Sequence, residues 1–287
     1  MAGLADDWEE NRQTCVDVLC AYLRMPYEAD RGDEASQEER LAFRASREVR
    51  HTVIRVITAH LKEGATVSWQ GLDFDFTGVV FDGGSFDGAA FPSGTVSFDG
   101  AAFPNGKVNF GHAKFSGGTV SFVGAEFSGG WVRFVGAEFS GGQVRFFDAE
   151  FSGGAVDLAV AEFSGGEVGF ISVKFSGSTV NFGSAVFSGG TVSFAGAVFS
   201  GGTVSFYGAV FSGGVVSFGN AKFSGGRVGF GGGVFSGGRI EFSGAEFSGG
   251  EVDFSAASDW SVPPRQLPTD RPPQGLKLPK KADQSQA

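Results

Sequence analysis

Along residues 91–258 the apolar positions fall into two alternating steps, Val-x-Phe and Ala-x-Phe, set among small and polar residues. One phenylalanine series runs Phe91, Phe103, Phe115 and on to Phe247 at an unbroken interval of 12, within the template F-S-G-G-x-V-x-F-x-x-A-x. Each step has the period of a strand, so a unit supplies two short strands with their apolar side chains on one side. A short fixed period predicts a solenoid, in which a unit buries its apolar face only by stacking on neighbours. Gly-Gly in each unit supplies the backbone angles that a corner needs. A coil made of one unit would enclose too little space for two phenylalanines and a valine. Two units per coil give a four-sided coil of about 24 residues with four stacked phenylalanines inside. At ~4.8 Å per layer, seven such coils over 91–258 rise about 34 Å.

The pattern differs at both ends. From Phe76 the spacing shortens to five, through Phe81, Phe86 and Phe91. Before it, residues 7–25 read as a helix, with Asp6 or Asp7 as cap, Val16, Leu19, Cys20 and Leu23 at helical spacing, and Pro26 as stop. Ser36-Gln37-Glu38-Glu39 has the form of a capping box and opens a second helix to about Leu61. Its stripe is Val49, Val53, Val56, Ile57 and Leu61, with Arg40, Arg44, Arg47 and Arg50 mostly off it. Two such helices leave apolar surface over, and the exposed first coil is its natural partner. The expected organisation is therefore a helical cap over 1–64, the solenoid over 65–258 and a disordered Pro-rich tail over 259–287.

The composition fits this picture: 48 Gly and 33 Phe among 287 residues, as expected when a turn and a ladder position repeat. Net charge is −10, and residues 91–258 carry 12 acids against 8 bases, so direct nucleic-acid binding through a basic face is not expected. Cys15 and Cys20 sit too far apart around a helix to pair and read as buried thiols in a reducing compartment. No stretch is long and apolar enough to span a bilayer, and Asp6, Asp7, Glu9 and Glu10 stand where a signal peptide carries bases. A cytoplasmic location is expected.

The steps Phe76-Thr-Gly-Val-Val-Phe81, Ala113-Lys-Phe115, Ala125-Glu-Phe127 and Ala197-Val-Phe199 resemble the pentapeptide repeat family. In that family a small residue precedes a central Leu or Phe by two. The resemblance covers residues 70–258. It is close over Phe76–Phe91 and looser beyond, where the inserted Gly-Gly lengthens alternate steps to seven. It implies a mainly β fold, a right-handed quadrilateral β-helix with an N-terminal α-helical cap. The two-unit coil sets its circuit here at about 24 residues. Helices followed by Trp69-Gln-Gly-Leu-Asp-Phe74 are similar to the region preceding the repeats in some bacterial members, certain of which carry membrane helices further upstream. Most members have no known activity; some resemble duplex DNA in charge and width and bind topoisomerases.

Chemistry is sparse. His51 and His60 lie nine apart on the second helix and His112 at a corner, none with a Cys, Asp or Glu at ligand spacing, so no catalytic, metal or cofactor site is expected. Phe-Ser-Gly-Gly is a corner rather than a nucleophile elbow, and these glycines open no helix that would cradle phosphate. The outward positions remain. Glu126, Glu138, Glu150 and Glu162 stack in alternate units and, with Asp148, Asp157 and Glu167, outweigh Arg133 and Arg145. Val186, Val198 and Val210, with Val234 and Tyr207, form a candidate apolar strip. Thr191-Val-Ser193 and Thr203-Val-Ser205 resemble an ice-binding array, which Trp131, Arg133 and Arg145 interrupt. Trp260 is placed to plug the last layer; without a plug, the end coil would invite a homodimer through the C-terminal end. The expected function is a non-enzymatic scaffold for an unknown protein partner. The alternatives are an acidic DNA mimic acting on a topoisomerase and, more remotely, an ice-binding solenoid.

Overall fold

The computed structural model describes residues 2–27 and 36–280. It is a parallel β-solenoid of about eight coils with about 24 residues per coil, preceded by helices. The strand register fixes the coil size. Glu138 pairs with Glu162, Val144 with Val168, Glu150 with Lys174 and Val156 with Val180, each one coil apart. One circuit passes over four flat faces, named here by a residue on each. The Thr191 face has eight strands, from Phe74–Asp75 to Arg239–Glu241. The Val198 face has six, from Glu126–Phe127 to Glu246–Phe247. The Thr203 face has nine, from Gly84–Ser85 to Leu276–Lys277. The Val186 face has seven, from Ala90–Phe91 to Val234–Phe235. The Thr191 and Thr203 faces lie opposite each other, as do the Val186 and Val198 faces.

Phenylalanine ladders fill the interior. Phe98, Phe122, Phe146 and Phe170 stack nearly parallel at 4.6–4.7 Å, while Phe122 meets Phe110 and Phe134 edge-on. Offset parallel and edge contacts are the favoured ring geometries, so a repeated register satisfies all the rings at once. Leu158 takes the place of a ring in one ladder and is fully buried. The corners show why glycine recurs. A Cβ on Gly141 would lie 2.3 Å from the carbonyl oxygen of Ser116 in the coil below, so no side chain fits there.

The first coil is shorter than the rest. Phe74 pairs with Val96, a shorter interval than the full one that separates Gly84 from its partner Val108. The pentads from Phe76 to Phe91 skip the corner insertion between Phe81 and Phe86, and bare backbone at Gly83 and Gly84 takes its place. Onto that backbone packs α3 (Gln37–Leu61), through His51 and Ile54. The Ser36 capping box is formed in full. Its buried side is Arg50, Ile54, Ile57, Thr58 and Leu61, while Val49 is exposed. Arg50, expected off the stripe, is instead buried: it donates to the carbonyls of Leu23 and Val80 and lies over the Tyr27 ring.

The first helical segment is broken where one helix over 7–25 was expected. It comprises α1 (Ala2–Asp7), a 3₁₀ turn (Glu9–Asn11) and α2 (Arg12–Arg24). The break lets Asp6 reach the coil, where its carboxylate accepts from Trp69 Nε1 at 3.2 Å and contacts His60. Cys20, Leu23, Ile57 and Leu61 join the same apolar core as Phe74 and Phe76.

The expected disordered tail is corrected over residues 259–280. Asp259 bridges to Val234, Arg265 to Glu241, and Leu276–Lys277 forms a strand on Glu251–Asp253. Trp260 packs edge-on against Phe235 and Phe254, and Leu267 and Leu276 are buried. Pro-rich composition signalled disorder, but these prolines lie in a strap that needs few ladder hydrogen bonds of its own. Residues 281–287 lie outside the described residues.

Candidate interaction surfaces

Each outward residue is held by the strand carrying it, so the surface is a set of straight columns one layer apart. The Val186 face carries Lys114, Glu138, Glu162, Val186, Val210 and Val234 in register. The Val198 face carries Glu126, Glu150, Lys174, Val198, Lys222 and Glu246. Glu126 thus stacks on Glu150 and Glu138 on Glu162, but the two pairs lie on opposite faces. The valines divide likewise: Val186, Val210 and Val234 form one half-buried column, while Val198 stands alone between Lys174 and Lys222. Alternation between faces makes one apolar strip from all of them impossible.

The Thr203 face holds a feature that reads in the sequence only as an interruption of the Thr/Ser array. Trp131 is exposed, with Lys107 and Arg133 over its ring at 5.1 and 5.0 Å. Tyr207, at 68% exposure, lies at a corner of the same face and covers Gly231. Such residues break a repeat template, which was the available signal. Residues 175–221 contain no Asp, Glu, Lys or Arg, so a neutral belt about two coils deep separates an acidic segment from Lys222, Arg227 and Arg239.

A charge cluster centred on a buried carboxylate lies beneath the helices. Asp82, buried, accepts from Tyr27 Oη at 2.6 Å and meets Arg47 at 3.0 Å and His51 at 3.1 Å. Burial, then the hydrogen bond to Asp82, pushes the Tyr27 hydroxyl well above the usual tyrosine range. Burial drives the Cys20 thiol up to about 12, partly offset by a backbone hydrogen bond to Asp75. Cys15 and Cys20 are both buried and free. His60 stacks on Trp69 at 4.0 Å and His112 is exposed at its corner, 3.5 Å from Asp87. The Asp82 cluster and the His60–Trp69 stack clamp helix to coil, whereas His112 and Asp87 both belong to the solenoid. Among the described residues no cluster of His, Cys, Asp or Glu has metal-binding geometry, and no helix is long and apolar enough to cross a membrane.

No family model matches the sequence, and no curated protein matches it. Among solved structures, a trypsin-treated variant of QnrB1, described as a plasmid-mediated fluoroquinolone resistance protein, aligns at 16% identity. The alignment covers 66% of this chain and 85% of that one, with a TM-score of 0.20. At that score the likeness carries no weight, and the fold assignment stands on the strand register and the phenylalanine ladders.

Proposed function

We propose that this protein is a non-catalytic scaffold that presents its flat faces to a protein partner. The observation that supports this most directly is the column on the Val186 face. It passes in register from Glu138 and Glu162 to Val186, Val210 and Val234, a carboxylate end joined to an apolar end on a rigid rod. A rigid, half-buried apolar column loses little conformational freedom on docking, and the adjoining carboxylates set its polarity. The test compares binding to a cognate protein by the full chain and by a Val186→Lys, Val210→Lys variant. Loss of the partner with unchanged thermal stability supports the reading; equal retention overturns it.

The second reading is an acidic mimic of duplex DNA acting on a topoisomerase. It is favoured by the stacking of Glu126 on Glu150 and of Glu138 on Glu162 on opposite faces, which sets like charges on two sides of one rod. Lys114 and Lys174 bound the two columns, so each acidic run is only two carboxylates long. Replacing all four glutamates by lysine should abolish inhibition of supercoiling; inhibition that survives removes this reading.

A further inference from the structure

We infer that a gap at Gly229 on the Thr203 face is a binding site for one ring of a neutral sugar, either free or as a unit of an oligosaccharide. At this register position successive coils carry Asn109, Arg133, Asp157, Asn181 and Ser205. Gly229 then interrupts the column, and Asp253 resumes it one coil later. A Cβ on Gly229 would meet nothing within 4 Å, and the gap opens into a hollow of about 380 Å³.

The opposite face holds the same combination with the other outcome. Phe147 follows Phe146 as Tyr207 follows Phe206, and in each case the phenylalanine N–H donates to a glycine one coil on, Gly169 or Gly229. The Phe147 ring lies in the space that a Cβ on Gly169 would need, so that gap is plugged. Tyr207 turns instead along Gly231 and Gly232, its ring 3.4 and 3.7 Å from where their Cβ atoms would stand. It therefore walls the hollow without filling it, and its ring stays mostly exposed.

Charge and hydrogen bonding select the ligand. Arg227 pairs with Glu251 at 3.2 Å and with Asp253 at 3.3 Å, and Lys277 pairs with Glu251 at 2.7 Å. Two cations and two carboxylates thus cancel at one rim, and the adjoining residues 175–221 carry no charge. An anionic ligand would find no spare cation here, and a cationic one no spare carboxylate. Hydrogen-bonding capacity remains. The hydroxyls of Thr203 and Tyr207 have no partner among the described residues. Ser205 Oγ accepts from the Tyr207 N–H at 3.3 Å and keeps its own hydrogen to donate. Asp253 accepts from Ser255 and Arg227 and retains lone pairs for a ligand hydroxyl. A sugar ring meets all of this: its C–H face packs on the electron-rich face of Tyr207, while its hydroxyls both donate and accept. A purely apolar ligand would desolvate these polar groups without pairing them.

Saturation-transfer NMR of the full chain tests this with glucose, galactose, mannose, N-acetylglucosamine and linear oligosaccharides of glucose. At least one should bind, with a dissociation constant of about 1–10 mM for so small a ligand. Gly229→Asn restores the side chain that Asn109 and Asn181 bring to this position, with no clash at its Cβ. It should fold as stably as the wild type and, by filling the gap, weaken binding roughly tenfold or more. Tyr207→Ala should weaken binding by about tenfold through loss of the stacking wall, and Tyr207→Phe by less. Glucose 6-phosphate should bind no more tightly than glucose. Silence from the whole panel, binding that Gly229→Asn leaves intact, or a marked preference for glucose 6-phosphate overturns the proposal. If Gly229→Asn misfolds, Tyr207→Ala at its exposed corner decides, and binding unchanged by it overturns the proposal equally. Affinity that rises with chain length assigns the site to an oligosaccharide, and constant affinity to the free sugar; either result upholds the sugar site.

Discussion

Ile54 on α3 rests directly on Gly84 of the first coil, its Cδ1 3.0 Å from where a Cβ would stand. The contact exists because the pentad spacing removes the corner insertion there. Gly84 also has φ of +124°, a region that side chains rarely enter. Gly84→Ala should therefore cost about 1–3 kcal/mol, from overpacking and backbone strain together. Denaturant unfolding measures the loss. Shortening the partner in Ile54→Val should make the glycine substitution less damaging; strict additivity of the two changes would mean that they do not touch.

Phe194 lies inside the ladder between Phe170 and Phe218, at 4.9 Å from each ring and with no exposure. Its neighbours are backbone-fixed strands that cannot collapse inward. Phe194→Ala should cost about 3–5 kcal/mol by lost transfer energy plus an unfilled cavity. A loss below about 1 kcal/mol in chemical denaturation would place this side chain outside the core.

Alkaline pH should loosen the helical cap. The Tyr27 hydroxyl titrates higher in the folded chain than the ~10 of a free tyrosine, through burial and the bond to Asp82. A group with a raised folded value gives stability that is intact below the unfolded value and is lost as pH rises through the folded one. Stability should thus fall above about pH 10. Ultraviolet titration of the three tyrosines should show one ionising late. Tyr27→Phe should abolish that late step and flatten the alkaline fall. An unchanged titration curve in Tyr27→Phe would refute the assignment.

The strap over 259–280 closes the far end, and the homodimer expected through an open C-terminal coil is unsupported by this arrangement. Arg265 and Leu276 occupy ladder positions that another copy would need, and the prolines among them offer no N–H to a newcomer. Deleting residues 259–287 should uncover Phe235, Phe242 and Phe254 and produce concentration-dependent assemblies larger than those of the full chain. Light scattering at matched concentrations reads this directly; identical masses for both chains would deny the strap a covering role.

The coil size was legible because Val-x-Phe and Ala-x-Phe impose a packing condition that only a four-sided coil meets. The capping box at Ser36 was legible because its chemistry is local. Residues whose partners are remote were not. Arg50 reads as a solvated arginine until Leu23, Val80 and Tyr27 surround it. The helix break after Asp7 follows from Asp6 meeting Trp69 and His60, a contact across more than 50 positions. The strap was missed because proline-rich sequence usually lacks a core, and here it borrows one from Phe235 and Phe254. On the surface, Val198 was grouped with Val186 and Val210 by composition, while alternation around the coil puts it on the far side.

Because one coil consumes two units, the repeat has parity. Inserting or losing a pair of units would lengthen or shorten the rod while keeping α3 and Trp260 over the same faces. Inserting a single unit would turn the strap half a circuit about the rod and exchange the face carrying Trp131 with its opposite over every later coil. Length in this molecule can therefore change freely only in even steps, and an odd step rewrites the whole pattern of neighbours beyond it.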